Sequence, residues 1–230
     1  MKLFLTILML AGCYIAPAQN IRSKPDFKAI EKNINDKASP YYYAPLLKRY
    51  EANDTTLTQE EYRHLYYGFS FQDDYSAYGK SKLQDQVNLI LKKPQREPGD
   101  LDSIISLEKR ILKEFPFNIR NMYMLHNVYE VQKDSANMQV QFSKLMGVIS
   151  AIMSTGDGRT DSTAMYVISV EHEYDLIGLM GYEVSGQALI NEHKETMDKM
   201  SLKENDDEIK ALYFNIDRLF AYMNKLFKKD

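Results

Sequence analysis

The chain has 230 residues, 44% hydrophobic, 27% charged and 12% aromatic, a mix that folds into one or two globular units and excludes a disordered or collagen-like chain. Its 29 basic and 32 acidic side chains give a formal net charge of −3, without the basic field that drives binding to phosphate backbones, so no nucleic-acid partner is expected. One Cys excludes an internal disulfide and any multi-cysteine zinc site, and four His leave little room for a histidine-rich metal centre.

Residues 1–18 read as an export signal. Lys2 supplies the positive start, and Leu3 to Leu10 is an apolar run too short for a bilayer core, which needs about 20 residues. Ala16-Pro17-Ala18 places small residues before Gln19, the A-x-A pattern of signal cleavage. A second reading competes: Leu10-Ala11-Gly12-Cys13 fits a lipobox, in which Cys13 becomes the lipidated first residue and acyl chains anchor the protein. Both place the protein outside the cytoplasm, in the periplasm or on an envelope membrane. The only membrane contact implied is that anchor at Cys13.

Residues 24–155 read as helical. Asp26 opens a helix with Phe27, Ile30 and Ile34 on one face, stopped by Ser39-Pro40. Pro45 suits the first turn of a short helix through Leu46, Leu47 and Tyr50. Thr58-Gln59-Glu60-Glu61 fits a capping box, followed by the stripe Tyr62, Leu65, Tyr66 and Phe69. Residues 70–80 lose the period and read as a Tyr-rich loop. Ser81 can cap a helix carrying Leu83, Val87, Ile90 and Leu91, and Asp100 one carrying Ile104, Ile105, Ile111 and Leu112 that ends at Phe115-Pro116. A helix with Met122, Leu125, Val128 and Tyr129 follows. Asp134 can then cap one with Met138, Phe142, Leu145, Ile149 and Ile152 inward.

This helix–Pro–helix–turn–helix rhythm is tetratricopeptide-like. With Pro116 as the repeat-ending proline, Leu125, Tyr129 and Phe142 fall on packing positions, while His126 and Met138 stand where smaller residues are usual.

Residues 156–230 change character. Gly156-Asp157-Gly158 makes a turn, Ala164–Val170 reads as a strand, and residues 173–180 suit a short helix. Strands are expected at 182–190, 196–202 and 209–216, and a closing helix from Arg218 to Phe227. The fold class is therefore α+β, mainly α: tetratricopeptide-like hairpins followed by a small antiparallel sheet with flanking helices packed on them.

Candidate chemistry is sparse. Glu171, His172, Glu173 and Asp175 are the densest group of ionisable residues and the suspects for a hydrolase. If 171–173 continued a strand, Glu171 and Glu173 would share a side and His172 would not. Nine of the 17 tyrosines lie in residues 41–78. Helix spacing assigns Tyr50, Tyr62 and Tyr66 to a core, whereas Tyr75 and Tyr78, in a loop with Asp73 and Asp74, suit a surface that binds a glycan or peptide. No G-x-S-x-G elbow and no nucleotide-binding glycine loop occurs, and no cofactor or metal is implied. His64 and His126 fall within helical segments and read as packing histidines.

Several strings together carry a family likeness: Ser39-Pro40-Tyr41-Tyr42-Tyr43, Asp54-Thr55-Thr56-Leu57-Thr58 through Tyr66-Tyr67-Gly68, Thr155-Gly156-Asp157-Gly158, Val167-Ile168-Ser169-Val170 with Glu173-Tyr174-Asp175, and Leu212-Tyr213-Phe214-Asn215. From about residue 25 to 220 the chain resembles the secreted bacterial family known as domain of unknown function 4919. The resemblance implies export and a helical middle, and brings no catalytic residue. The leading expectation is a non-catalytic envelope protein that binds a protein or peptide on its paired helices. The alternatives are the hydrolase and the small-ligand binder.

Overall fold

The computed structural model describes residues 22–227, so the export reading of residues 1–18, with Cys13, lies outside the described residues. The first three helices are α1 (Phe27–Asn35), α2 (Tyr43–Glu51) and α3 (Gln59–Phe69). Asp26 caps α1 by accepting from the Ala29 N–H. Thr58 and Glu61 form the reciprocal box at the start of α3, each satisfying a backbone N–H that the helix leaves free. Helices α4 (Gln84–Leu91), α5 (Asp100–Glu114), α6 (Ile119–Val131) and α7 (Ser135–Met153) follow. Asn118 and Asp134 cap α6 and α7. Asp100 is not a cap. Gly99, at φ 90°, takes that position, and Asp100 turns back to accept from the Glu97 N–H and pair with Lys93.

The C-terminal part comprises β1 (Met165–Tyr166), α8 (Val170–Leu179), β2 (Val184–Glu192), β3 (Glu195–Leu202), β4 (Ala211–Asn215) and α9 (Asp217–Phe227). The sheet runs β1-β4-β3-β2. It is mixed rather than antiparallel: β1 lies parallel to β4, because the α8 crossover lets the chain enter in either direction. The pairs β2·β3 and β3·β4 are antiparallel. The β2–β3 turn uses His193 and Lys194 at φ 53° and 66°, the backbone of a two-residue hairpin that usually selects Asn-Gly.

The strand expected over Ala164–Val170 shrinks to two residues for a specific reason. Beyond Val167, side-chain hydroxyls replace a neighbouring strand: the Ile168 N–H donates to the Tyr66 hydroxyl (3.2 Å), and the Tyr75 hydroxyl donates to the Ile168 carbonyl (2.7 Å). Tyr67 likewise donates to the Tyr166 carbonyl (3.1 Å). These α3 and loop tyrosines bind the helical half to the 165–168 segment, and one apolar core runs through both halves. Arg218 of α9 closes the far side, its guanidinium 4.0 Å from the Phe71 ring centre and donating to the Ser70 carbonyl.

The tetratricopeptide register holds at Leu125 and Tyr129, both buried, and fails at Phe142, which is 51% exposed. Helix α7 instead buries Gln141, Leu145, Val148, Ala151 and Ile152. The rotation follows from Gly147. It lies so close to the Tyr62 ring that a Cβ there would come within 2.2 Å of it, so α7 approaches α3 along its glycine edge and turns Phe142 outward.

Candidate functional site

Helix α8 separates the four suspected catalytic residues. Successive helical residues turn by about 100°, so Glu171 and Asp175 share a face and Glu173 points to the other side. Glu171 accepts from Asn118 Nδ2 (3.1 Å) and lies 3.6 Å from Lys80 Nζ. Asp175 is held by the Arg120 guanidinium at 2.9–3.0 Å through Oδ1, while its Oδ2 has no protein donor among the described residues. Burial raises the Asp175 pKa and Arg120 opposes the rise.

His172 is buried beneath the helix, its Nδ1 2.7 Å from the Tyr66 hydroxyl. That hydroxyl already accepts from Ile168, so its own proton goes to Nδ1 and the imidazole carries its hydrogen on Nε2, toward the Phe117 backbone. Burial pushes His172 down to about 3, which keeps it neutral.

Glu173 faces the sheet. Neither of its oxygens meets a donor, and burial, followed by the neighbouring Asp198 charge, pushes its pKa up to about 9. It lies beside Asp198, which accepts from Gln187 Nε2 (2.7 Å); Gln187 in turn accepts from the Tyr174 hydroxyl. The suspects thus point in three different directions: Glu171 and Asp175 to polar partners on one face, His172 to Tyr66, and Glu173 to the sheet, where it has no hydrogen-bond partner among the described residues. Among the described residues no group of three or more His, Cys, Asp or Glu is placed to hold a metal ion.

The Tyr-rich loop also divides. Tyr75 is not on the surface: it is buried against Phe69 and Tyr222, with its hydroxyl used on Ile168. Tyr78, Asp73 and Asp74 are exposed. His64 is buried, stacked on Tyr41 at 3.8 Å, and hydrogen-bonded through both nitrogens, to the Glu60 carbonyl and Asn33.

The helical half carries two grooves. The first, about 300 Å³, lies between α6, α7 and α8 and is almost wholly apolar, with Tyr123, Phe142, Met146, Met153 and Leu179 open to solvent. The second, about 620 Å³, lies between the end of α2 and helices α5, α6 and α7. Leu125, Tyr50 and Tyr129 form its floor, Leu112 and Pro116 its wall, and Lys109, Lys113, Lys144, Gln141 and Asn137 its polar lining. The Tyr50 hydroxyl donates to the Pro116 carbonyl (2.8 Å), which fixes the floor. Lys144 Nζ sits 4.4 Å from the centre of the Tyr50 ring and Lys109 Nζ 5.8 Å from that of Tyr129. Burial lowers the Lys144 pKa to about 8, with Glu51 opposing.

Sequence reasoning reached all three floor residues, Tyr50, Leu125 and Tyr129, as packing positions, and missed the lysines. Lys109 and Lys113 are four apart on α5, and Asn137, Gln141 and Lys144 four and three apart on α7. That spacing was the available signal, and on an isolated helix it describes an ordinary solvated face.

The family model described as Domain of unknown function (DUF4919) matches residues 28–225. The chain belongs to this family. The DUF4919 match spans both the helical half and the sheet, including every groove residue named above. No curated protein and no solved structure matches the chain. Among the described residues no helix is long and apolar enough to cross a membrane.

Proposed function

We propose that this DUF4919 protein is an exported, non-catalytic module of the cell envelope that binds a peptide segment of another protein in the groove between α2, α5, α6 and α7. The observation that carries the reading is the groove itself: about 620 Å³ of open space with a buried aromatic floor and a polar rim. A floor fixed by a hydroxyl–carbonyl bond gives a pre-organised surface, which lowers the ordering cost of association. The hydrolase alternative lacks comparable support, since Glu171 and Asp175 face away from His172 and Glu173, and Glu171, His172 and Asp175 are held by Asn118, Tyr66 and Arg120. Export rests on residues 1–18. Mass spectrometry of the mature N terminus separates a chain starting at Gln19 from one starting at acylated Cys13.

Selection from a random dodecapeptide phage library tests the binding reading. The half-buried Leu112 wall admits Leu112→Trp, which fills the groove from the α5 side. Peptides enriched on the native protein should lose binding to this variant while its circular dichroism stays native. No enrichment, or peptides that bind both proteins equally, contradicts the reading.

A further inference from the structure

The charge of this groove points to the chemistry of its ligand. Lys109 and Lys113 from α5 and Lys144 from α7 line one cavity, and none of the three has an ion-pair partner within 4 Å among the described residues. Against these three ammonium groups the lining holds one carboxylate, Glu51. Lys24, Lys80, Lys93 and Lys203 are each within 4 Å of a carboxylate, while other lysines such as Lys28 and Lys48 are not; what sets the groove apart is that three such ammonium groups line one cavity.

A second observation is independent of charge. Gln141 is 9% exposed and lines the same cavity, yet its amide has no hydrogen-bond partner among the described residues. That amide opens on the groove rather than into the core, so it is free to bond a ligand there. Lys144 is also held in a poor place for a cation, partly buried with its ammonium over the Tyr50 ring. An anion entering the groove would stabilise that ammonium.

The lining also favours one kind of anion. Leu112, Pro116 and the Tyr50 and Tyr129 rings offer apolar surface between the ammonium groups, which suits a chain that alternates apolar and carboxylate side chains. A polyphosphate or a sulfated glycan brings charge and leaves that surface unmatched.

We propose that the groove between α2, α5, α6 and α7 binds an acidic peptide segment, its carboxylates engaged by Lys109, Lys113 and Lys144 and one of its backbone or side-chain polar groups by Gln141. This rests on the peptide-binding reading above and adds the ligand's charge to it. The three cations reach the ligand from two helices, so carboxylates spaced along an extended strand meet them in turn. Glu51 opposes the site and sets a limit on its affinity.

Fluorescence anisotropy on the purified protein tests the proposal with two labelled octapeptides, one alternating Leu and Glu and the other Leu and Gln. The acidic peptide should bind and weaken as salt rises, with the neutral one at least about tenfold weaker. Lys144→Gln should weaken the acidic peptide about tenfold, and Lys109→Gln or Lys113→Gln, both exposed, about threefold each. Glu51→Gln removes the opposing charge and should tighten the acidic peptide, a gain that unfolding cannot produce. Equal binding of the two octapeptides overturns the acidic ligand and leaves the peptide reading standing. Binding of neither octapeptide overturns the acidic ligand too, and phage-selected peptides then decide the broader reading. Binding of inorganic polyphosphate without the acidic peptide overturns the proposal in favour of a phosphate site.

Discussion

Replacing Glu173 by Gln should make the protein less sensitive to alkaline pH. Glu173 is fully buried between α8 and β3, and burial beside Asp198 raises its pKa from 4.5 to about 9. The folded protein therefore keeps the proton that the unfolded chain releases above pH 4.5. A raised carboxyl pKa gives stability that is fully present below the unfolded value and is lost as pH rises toward the folded one, so the window here is about pH 4.5 to 9. At about 1.4 kcal/mol per pH unit, holding Glu173 neutral costs on the order of 3 kcal/mol at pH 7. The amide introduced by Glu173→Gln has no proton to lose in this range and brings an N–H toward the neighbouring Asp198. Its carbonyl oxygen lacks a donor, an offset of about 1–2 kcal/mol. The variant should thus be about 1–2 kcal/mol more stable than the native protein at pH 7 and no more stable at pH 5. Urea unfolding followed by circular dichroism or tyrosine fluorescence, which 17 Tyr and no Trp make usable, reads both curves. Identical pH slopes for the two proteins would refute the argument.

Other substitutions test the packing. Leu145→Ala should cost about 2–5 kcal/mol in chemical unfolding, whereas Phe142→Ser, half exposed in the apolar groove, should stay within about 0.5 kcal/mol; comparable costs would restore the repeat register. Gly156→Ala puts a Cβ 2.0 Å from the Thr163 carbonyl oxygen, so backbone must move, and a loss of about 3 kcal/mol or more is expected. A melting temperature within a degree or so of the native one would contradict that geometry. Lys194→Gly relieves a positive φ in the β2–β3 turn and should raise stability by about 1 kcal/mol; a loss would mean that the turn is built differently.

Local signals located most elements. The reciprocal pair Thr58 and Glu61 marks the start of α3, and Asp134 that of α7, because unsatisfied N–H groups recruit these residue types wherever a helix begins. Short apolar runs between polar breaks located β2, β3 and β4 to within a few residues. What stayed hidden depended on distant partners. Helix α7 carries apolar residues around much of its girth, so periodicity could not choose its inner face, and Gly147 against Tyr62 decided it. The extended segment at 167–168 lost its strand character to hydroxyls from Tyr66 and Tyr75. Glu171, His172, Glu173 and Asp175 looked like one cluster because they are adjacent in sequence, and helical geometry sends them to different surroundings. The groove lysines are the reverse case: Lys109 and Lys144 are 35 positions apart in the numbering and converge only when α5 and α7 flank α6.

The most direct test of the account is where a bound peptide touches the protein. An acidic octapeptide carrying a benzophenone at its centre, photolysed on the protein and mapped by mass spectrometry, should attach within the groove formed by Leu112, Lys113, Tyr129, Gln141 and Lys144. Attachment to Phe142, Met146 or Leu179 in the apolar groove, or to the sheet, would contradict it.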